Sequence, residues 1–250
     1  MDLRLAGRAF IVTGASQGLG AACVRSIVAE GGKVLAAARS EKNLESIAAE
    51  LPGAVAIAKC DMRDRVAVGG LVDVALSTFG RLDGIVNNAG IAPAGSFETQ
   101  SLDVFDEVLA VNLLAPAALA QRAGSHWIAL KQPGSIVNVA STSGLKGKPI
   151  LVAYSSSKGA MMRFTESLAA EWARHEIRVN TIAPGAFDTA AQSAVTADAR
   201  TLDLRLKKIP LRRMGTPEEL GPLVCYLLSP LSSFVTGACF VIDGGEVSKL

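Results

Sequence analysis

The sequence contains few of the residues that build disulfide frameworks, metal centres and aromatic recognition surfaces. Its 250 residues include four cysteines, two histidines and only 5% aromatic residues. The cysteines lie far apart and form no CxxC pair, which favours buried free thiols over disulfides or a zinc site. His126 and His175 lie in helix-like segments with no second candidate ligand nearby, so we predict no metal site.

Strong net charge and long apolar runs are also absent. The net charge of +2 at pH 7 is too small to indicate nucleic-acid binding, and no aromatic–basic stripe accompanies it. No apolar run reaches the ~18–20 residues that span a bilayer, and the first residues enter a strand-like run without a signal-peptide core. We therefore expect a cytoplasmic protein that binds neither nucleic acid nor membranes.

Short apolar runs alternate with longer helix-like segments along the chain, and half of the residues are hydrophobic. Strands that are covered by helices on both faces have this composition because they have no polar side. No linker, repeat or low-complexity tract divides the sequence. We predict one α/β domain over residues 1–250, a Rossmann-type doubly wound parallel sheet of about seven strands with helices on both faces, and ligands at the carboxyl ends of the strands.

The alternation predicts where each element begins and ends. The predicted strands span residues 9–13, 33–38, 55–60, 82–86, 135–140, 177–182 and 239–242. The predicted helices span residues 18–30, 41–51, 64–79, 102–130, 153–175 and 217–228. Between residues 186 and 215 the strand–helix pattern is lost, and we expect this segment to form a mobile lid over a substrate.

A glycine-rich turn follows the first predicted strand and leads directly into a helix. Its spacing is G-x-x-x-G-x-G rather than G-x-G-x-x-G, and no Walker lysine competes with it. Free N–H groups at the start of a helix bind a pyrophosphate, while glycines allow the sharp turn and the close approach. We predict that this turn binds a dinucleotide. Its candidate residues are Gly14, Ser16, Gln17, Gly18, Leu19 and Gly20.

The residues after the second predicted strand indicate which dinucleotide is bound. A carboxylate at this position would accept the ribose 2′-OH of NAD, but the chain has Arg39 and Ser40 there. The Arg39 guanidinium can pair with a 2′-phosphate, which favours NADP(H) over NAD(H). The alternative is that Arg39 is a solvated surface arginine.

Three residues near the far end of the predicted sheet are candidates for proton transfer. Tyr154 and Lys158 are four residues apart and therefore share one face of a helix. A free tyrosine has a pKa near 10, and we expect the neighbouring ammonium to lower it. Ser141 closes the fifth predicted strand, where its hydroxyl would polarise the same carbonyl oxygen.

With these motifs in place, the chain resembles the short-chain dehydrogenase/reductase family over essentially its whole length. The resemblance rests on Thr13–Gly20, Asp61, residues 87–90, Asn112, Ser141, Tyr154, Lys158, Pro184, Gly185, Thr189 and residues 236–245. The pattern is most similar to the 3-oxoacyl-acyl-carrier-protein reductase branch. Residues 131–133 and 174–176, where such reductases carry basic docking residues, match only in part.

The resemblance implies a role for each candidate catalytic residue. Tyr154 would be the general acid in reduction and the general base in oxidation, and Ser141 would hold the substrate oxygen. Lys158 would bind the nicotinamide ribose, and Asn112 would complete a proton relay through a water to Lys158. The alternative for Asn112 is an exposed helical amide. Asn87 would tie neighbouring strands together.

The resemblance also implies where the rest of the cofactor binds. Asp61 and Met62, after the third strand, would contact the adenine. The adenosine ribose and the nicotinamide would each be lined by one further group of residues. These groups are Asn88, Ala89 and Gly90 for the ribose, and Pro184, Gly185 and Thr189 for the nicotinamide.

We therefore predict an oxidoreductase that transfers a hydride between NADP(H) and a small ketone or secondary alcohol. An NAD-dependent alcohol, sugar or polyol dehydrogenase remains open, as does a non-catalytic nucleotide-binding regulator or scaffold. A regulator would be expected to have lost Ser141, Tyr154 or Lys158, and all three are present.

The substrate and the oligomer are less clearly indicated. Two groups of basic residues near the predicted substrate region either steer an anionic substrate or form a solvated surface. They are Lys146, Lys148, Arg205, Lys207, Lys208, Arg212 and Arg213. The apolar tail, residues 234–247, is predicted to contain an edge strand. Relatives with such a tail usually form tetramers, so the resemblance implies a homotetramer or homodimer.

Overall fold

The computed structural model describes residues 2–190 and 193–248. Seven strands form one parallel sheet in the order β3-β2-β1-β4-β5-β6-β7. They are β1 (Ala9–Thr13), β2 (Lys33–Ala38), β3 (Val55–Lys59), β4 (Gly84–Asn87), β5 (Gly134–Val139), β6 (Ile177–Pro184) and β7 (Cys239–Ile242). The strand order reverses between β1 and β4, so a ligand crevice is expected at the carboxyl ends of these two strands.

Helices cover both faces of the sheet. They are α1 (Gly18–Ala29), α2 (Glu41–Glu50), α3 (Arg65–Phe79), α4 (Leu102–Leu109), α5 (Ala115–Leu130), α6 (Val152–Trp172), α7 (Ser193–Thr196), α8 (Ala199–Lys208) and α9 (Gly221–Leu228). The buried side chains of α1, α2 and α9 form one core cluster with the sheet, and those of α3, α5 and α6 form another. The predicted Rossmann-type sheet is confirmed. In the described ranges, no helix combines the length and apolar character needed to cross a membrane.

A buried carboxylate joins β1 to β4 at the end of the sheet opposite the crevice. Asp83 accepts hydrogen bonds from the Ala9 backbone N–H at 2.9 Å and from two nitrogens of Arg81 at 2.7 Å each. The guanidinium of Arg8 adds a contact at 3.2 Å. Because the buried carboxylate is paired and hydrogen-bonded, it holds the two strands that flank the crevice in register.

Trp127 fills the centre of the core formed by α3, α5 and α6. Its side chain is fully buried, and its indole Nε1 donates to the Leu82 carbonyl at 2.7 Å. The ring packs directly over Gly134, where an added Cβ would lie 2.4 Å from it. The Leu82 carbonyl also accepts from the Gln132 side chain, which explains why β4 begins at Gly84 and not at residue 82 as predicted.

The structure differs from the sequence prediction in two helical regions. The helix predicted over 102–130 is interrupted by a π-helical segment, Ala110–Leu114, between α4 and α5. This segment carries the buried Asn112, whose amide is hydrogen-bonded to the backbone of Ile91, and π-helical turns of this kind are frequent at functional sites. The region 186–215, predicted to lack regular structure, contains α7 and α8. Residues 191 and 192 of that region lie outside the described residues.

The expectation of buried thiols holds for three of the four cysteines. Cys23, Cys60 and Cys225 are buried, whereas Cys239 is exposed. Cys239 begins β7, which is the edge strand of the sheet and lacks a further strand to cover it within the described chain. The prediction of a buried thiol was therefore wrong for Cys239, because the side chains of this edge strand are exposed or only partly buried.

We expect Trp127→Ala to lower the free energy of unfolding by about 3–5 kcal/mol, because the large cavity would not be refilled. Urea denaturation followed by circular dichroism measures this change. Leu130→Ala, an exposed position at the end of the same helix, is the control and should change stability by about 0.5 kcal/mol or less. Equal losses in the two variants would contradict this account of the core.

Candidate active site

The glycine turn after β1 adopts a conformation that other residues would strain. Gly14 and Gly18 have φ values of +63° and +53°, in the left-handed region that glycine favours. A Cβ on Gly20 would lie 2.2 Å from the Gly14 carbonyl oxygen and 2.5 Å from the Asn88 side chain. Helix α1 starts at Gly18 without a side-chain cap from Gln17, so its amino terminus remains available to an anion.

Asn88 and Thr13 join this turn to the segment after β4. The Asn88 side-chain nitrogen donates to the carbonyls of Thr13 and Gly14, at 3.0 and 3.2 Å. In return, the Thr13 hydroxyl accepts from the backbone N–H groups of Asn88 and Ala89, each at 3.1 Å. Asn88 therefore holds the glycine turn through its side chain, a role that the sequence did not indicate.

A cavity of about 810 Å³ runs along the carboxyl ends of the strands. Every predicted site residue except Asn112 lines it, from the glycine turn to the residues after β6. The sequence-predicted residues on its wall are Gly14, Ser16, Gln17, Gly18, Leu19, Gly20, Arg39, Ser40, Asp61, Met62, Asn88, Ala89, Gly90, Ser141, Tyr154, Lys158, Pro184, Gly185 and Thr189. The volume is within the range of pockets that bind small ligands and cofactors.

Two groups near the carboxyl end of β5, the partly buried Tyr154 and the buried Lys158, have opposite pKa changes. Burial raises the pKa of Tyr154 above its usual value, and a side-chain hydrogen bond with Ser141 offsets part of the rise. Burial lowers the pKa of Lys158 to about 8. In both cases the low-polarity surroundings disfavour the charged form of the group.

The expected lowering of the Tyr154 pKa by Lys158 is not found in this arrangement. The Lys158 ammonium donates to the Val139 carbonyl at 2.7 Å and lies 5.7 Å from the centre of the Tyr154 ring. At that position its charge does not outweigh the effect of burial on the phenol. The phenol is therefore protonated at neutral pH.

Asn112 lies behind Lys158 and is buried, with 1% of its surface exposed, so the alternative of an exposed helical amide is wrong. Its oxygen accepts from the Ile91 N–H, and its nitrogen donates to the Ile91 carbonyl, each at 2.9 Å. The nitrogen also contacts the Ser157 hydroxyl at 3.0 Å. A Cβ on Gly90 would lie 3.3 Å from the Asn112 oxygen and 3.5 Å from the Lys158 ammonium, so glycine permits this close packing.

The buried amide of Asn87 connects two neighbouring strands, as the sequence suggested. Its nitrogen donates to the Asn138 oxygen at 2.8 Å, between β4 and β5. Asn138 in turn donates to the Thr165 hydroxyl of α6 at 2.9 Å. These bonds fix α6, and with it the position of Tyr154, relative to the sheet.

The end of the cavity beside β2 and β3 contains two charged residues, Arg63 and Glu107, that the sequence did not indicate. Arg63 holds the Asp61 carboxylate through its backbone N–H and its guanidinium, which lowers the Asp61 pKa to about 2. Arg63 also approaches Glu107 at 3.6 Å. The charge of Arg39 acts on the same carboxylate. Asn43, Arg63 and Glu107 line the cavity. In the sequence, Arg63 could have been found from its position two residues after Asp61.

The residues after β6 close the other side of the cavity. Gly185 donates its N–H to the Ile242 carbonyl at 2.9 Å, and a Cβ there would lie 2.5 Å from the Asp243 Cβ. The methyl group of Thr189 would lie 3.5 Å from a Cβ on Gly18. The segment after β6 therefore packs against the glycine turn, which places the two predicted ends of the cofactor site on one cavity.

Most basic residues between 205 and 213 are engaged in ion pairs. Arg205 pairs with Glu246, Lys207 with Asp203, and Arg213 with Glu219. Glu219 also accepts from the Thr216 N–H at the start of a short 3₁₀ turn. The Arg205–Glu246 and Arg213–Glu219 pairs hold the segment against the rest of the protein, whereas the Lys207–Asp203 pair lies within α8.

Comparisons with known proteins agree with this geometry. A family model described as Enoyl-(Acyl carrier protein) reductase matches residues 14–246. The 3beta-hydroxysteroid dehydrogenase 1 of Eggerthella lenta is 37% identical over 245 residues, covering 96% of this chain and 94% of that protein. The 3-oxoacyl-acyl-carrier-protein reductase FabG of Thermotoga maritima is 36% identical over 248 residues, covering 98% of this chain and 100% of that protein.

A solved structure has the same fold throughout. It is described as an NAD(P) dependent gluconate 5-dehydrogenase from Beutenbergia cavernae with NADP bound at low occupancy. Its TM-score is 0.92 at 33% identity, and 100% of both chains is covered. These matches extend over nearly the whole chain and include the cavity described above. The chain belongs to the short-chain dehydrogenase/reductase family and is an NAD(P)-dependent oxidoreductase.

Proposed function

We propose that the protein transfers a hydride between NADP(H) and a small ketone or secondary alcohol, with Tyr154 as the acid or base. The observation that carries this proposal is the shared cavity, which Ser141, Tyr154 and Lys158 line together with the glycine turn. A proton donor, a hydroxyl for the reacting oxygen and a phosphate-binding turn then face the same space. A non-catalytic regulator would not need this combination.

The cavity residues fit a dinucleotide along its whole length. The turn from Gly14 to Gly20 would hold the pyrophosphate, because these glycines leave no Cβ between the backbone and the phosphates. Asp61 would accept from the adenine amine beside Met62. Lys158 would bind the ribose hydroxyls at the other end. When bound, the nicotinamide supplies or accepts the hydride.

Arg39 supports a preference for the phosphorylated dinucleotide. It lines the cavity beside β2 and β3, together with Ser40 and Asn43. The Arg63 guanidinium is paired with Asp61 and Glu107, so Arg39 is the arginine here that would pair with the 2′-phosphate. The bound NADP in the Beutenbergia cavernae structure agrees with this choice.

The protein residues account for the proton in carbonyl reduction. A tyrosine is protonated at neutral pH and burial raises the pKa of Tyr154 further, so its hydroxyl can donate to the carbonyl oxygen. Ser141 would donate to the same oxygen as negative charge develops there. Below a pH of about 8 Lys158 is charged, and it would stabilise the phenolate that remains. Asn112 would orient a water that returns a proton through Lys158.

Two further features belong to this proposal. Helix α8 packs through Leu202 and Leu206 on a small cluster that contains Ala186, next to the cavity, and would act as a lid. The edge strand β7 and the fully exposed Phe234 offer apolar surface for a homotetramer or homodimer.

An NAD-dependent alcohol, sugar or polyol dehydrogenase would use the same catalytic groups in the oxidising direction. It differs from the main proposal in the cofactor, so the relative affinities for NADPH and NADH of the wild-type protein and of Arg39→Asp separate the two.

We expect Tyr154→Phe to lower kcat for ketone reduction about 10²- to 10⁴-fold, because the variant lacks the proton donor. Tyr226→Phe is the matched control, since Tyr226 is the only other tyrosine and is not among the cavity-lining residues. Steady-state assays at the reduced-nicotinamide absorbance give both values. Retention of turnover by Tyr154→Phe would remove this residue from the mechanism.

We expect Arg39→Asp to weaken NADPH binding about tenfold or more and to improve NADH binding, because a carboxylate accepts from a 2′-OH and repels a 2′-phosphate. Fluorescence titration of each reduced nucleotide gives the dissociation constants. Lys33→Asp makes the same charge change at the other end of β2 and should leave the preference unchanged. An unaltered preference in Arg39→Asp would favour the solvated-arginine alternative.

We expect Gly20→Ala to weaken dinucleotide binding about 5- to 100-fold, because the added methyl would displace the Gly14 carbonyl and Asn88. Gly70→Ala is the control, because a Cβ there meets nothing within 4 Å on helix α3. The same titration, with a denaturation curve for each variant, separates lost binding from lost stability. Wild-type affinity in Gly20→Ala would contradict the close approach described here.

A further inference from the structure

We propose that the substrate carries an oxyanion group, such as a carboxylate, and that Lys148 binds it beside helix α8. This inference rests on the proposed function and adds the chemical class of the substrate. It assigns to Lys148 a role in substrate specificity, separate from the groups that transfer the hydride and the proton.

Three segments meet where this group would bind, and we call their meeting point the basic corner. The loop after β5 contributes Lys146 and Lys148, helix α8 contributes Arg205 and Lys208, and the C-terminal turn contributes Glu246. The Lys146 ammonium donates to the Val247 carbonyl at 2.5 Å, which joins the loop to the C-terminal turn.

Helix α8 joins the C-terminal turn through a two-point ion pair. Arg205 contacts the two Glu246 oxygens at 2.5 and 2.8 Å. The side chains are only 19% and 13% exposed, so this pair is a fixed part of the corner. A bidentate pair of this kind restricts orientation as well as distance.

The basic corner is joined to the catalytic end of the cavity. The Lys148 N–H contacts the hydroxyl of Ser155, the residue that follows Tyr154, at 3.3 Å. Ile150, between them, has φ of +59°, a left-handed conformation that is unfavourable for a β-branched residue. The Ile150 carbonyl accepts from the Gly95 N–H at 2.9 Å, which holds the loop in place. Ser141, which begins this loop, and Tyr154, which follows it, both line the cavity. The loop therefore connects the catalytic end of the cavity to Lys148.

The charges of the corner leave Lys148 without a counterion. The charged groups that act on it are Glu246, Asp243, Arg205 and Lys208. Glu246 is already paired with Arg205, and Asp243 accepts from the N–H groups of Gly245 and Val247, at 2.8 and 2.7 Å. Within the described residues, Lys148 forms no ion pair of its own.

An anionic ligand would correct this imbalance. Lys148 is half-buried, and burial lowers its pKa because the ammonium is partly removed from water. The two acidic groups near Lys148, Glu246 and Asp243, are both engaged, while the corner contains four cations, so its net charge is positive. A substrate with its carbonyl at Ser141 and Tyr154 would place its far end along the loop that leads to Lys148. A carboxylate at that end would accept hydrogen bonds from the ammonium.

Matched pairs of ketones that differ only in charge test this inference. The probes are 4-oxopentanoate, 5-oxohexanoate and 6-oxoheptanoate, each with its methyl ester, assayed with NADPH and with NADH. We expect the wild-type enzyme to favour the acid over the ester by about tenfold or more in kcat/KM for at least one chain length.

Substitutions at Lys148 then test whether this residue causes the preference for the acid over the ester. Lys148→Gln should lower kcat/KM for the favoured acid about 10- to 100-fold, mainly by raising KM. It should change kcat/KM for the matching ester about twofold or less. Lys148→Arg should restore most of the preference because it keeps the charge. Lys33→Gln, at the opposite end of the sheet, is the control for net charge and should leave the preference unchanged.

Each outcome distinguishes this inference from the proposed function. A wild-type enzyme that reduces the esters as well as the acids at every chain length overturns the anionic substrate and leaves the oxidoreductase mechanism intact. If Lys148→Gln lowers kcat/KM equally for the acid and the ester, the role of Lys148 in binding an anion is overturned, and the oxidoreductase mechanism again remains intact. If no ketone is reduced with either nucleotide, the proposed function itself is overturned, and this inference with it.

Discussion

The site depends on how closely the turn after β1 approaches the segment after β4. Gly14 and Gly20 carry no Cβ, so the Asn88 side chain reaches the carbonyls of Thr13 and Gly14. At the opposite end of the same two strands, the buried Asp83 joins β1 to β4. The crevice between these strands is therefore held at both ends, and its glycine turn faces the cavity.

The catalytic end of the cavity depends on a second close approach, at Gly90. The absence of a Cβ there leaves room for Asn112 and the Lys158 ammonium beside the same backbone. The π-helical segment turns Asn112 towards Ile91, and the ladder from Asn87 through Asn138 fixes α6. The buried amides of Asn112 and Asn138 are hydrogen-bonded through both their oxygen and their nitrogen, so they restrain the geometry around Tyr154.

Much of the fold could be predicted because its signals are local in sequence. Apolar runs of strand length mark β1, β2 and β7 at the observed bounds, and the glycine turn lies between a strand and a helix as expected. Spacing of four residues was sufficient to place Tyr154 and Lys158 on one face of α6. The role of Arg63, the lone charge of Lys148 and the exposure of Cys239 depend on residues from distant segments, so sequence patterns did not reveal them.

The sequence by itself determined the succession of strands and helices along the chain, the position of the phosphate-binding turn and the identity of the candidate catalytic side chains. These follow from local chemistry, such as backbone freedom at glycine and the alternation of apolar and polar residues. Only the tertiary structure decided the direction of the Tyr154 pKa and which charges in the basic corner remain uncompensated. Both depend on burial and on the distances between groups that are far apart in the chain, since desolvation and Coulomb interactions act through space.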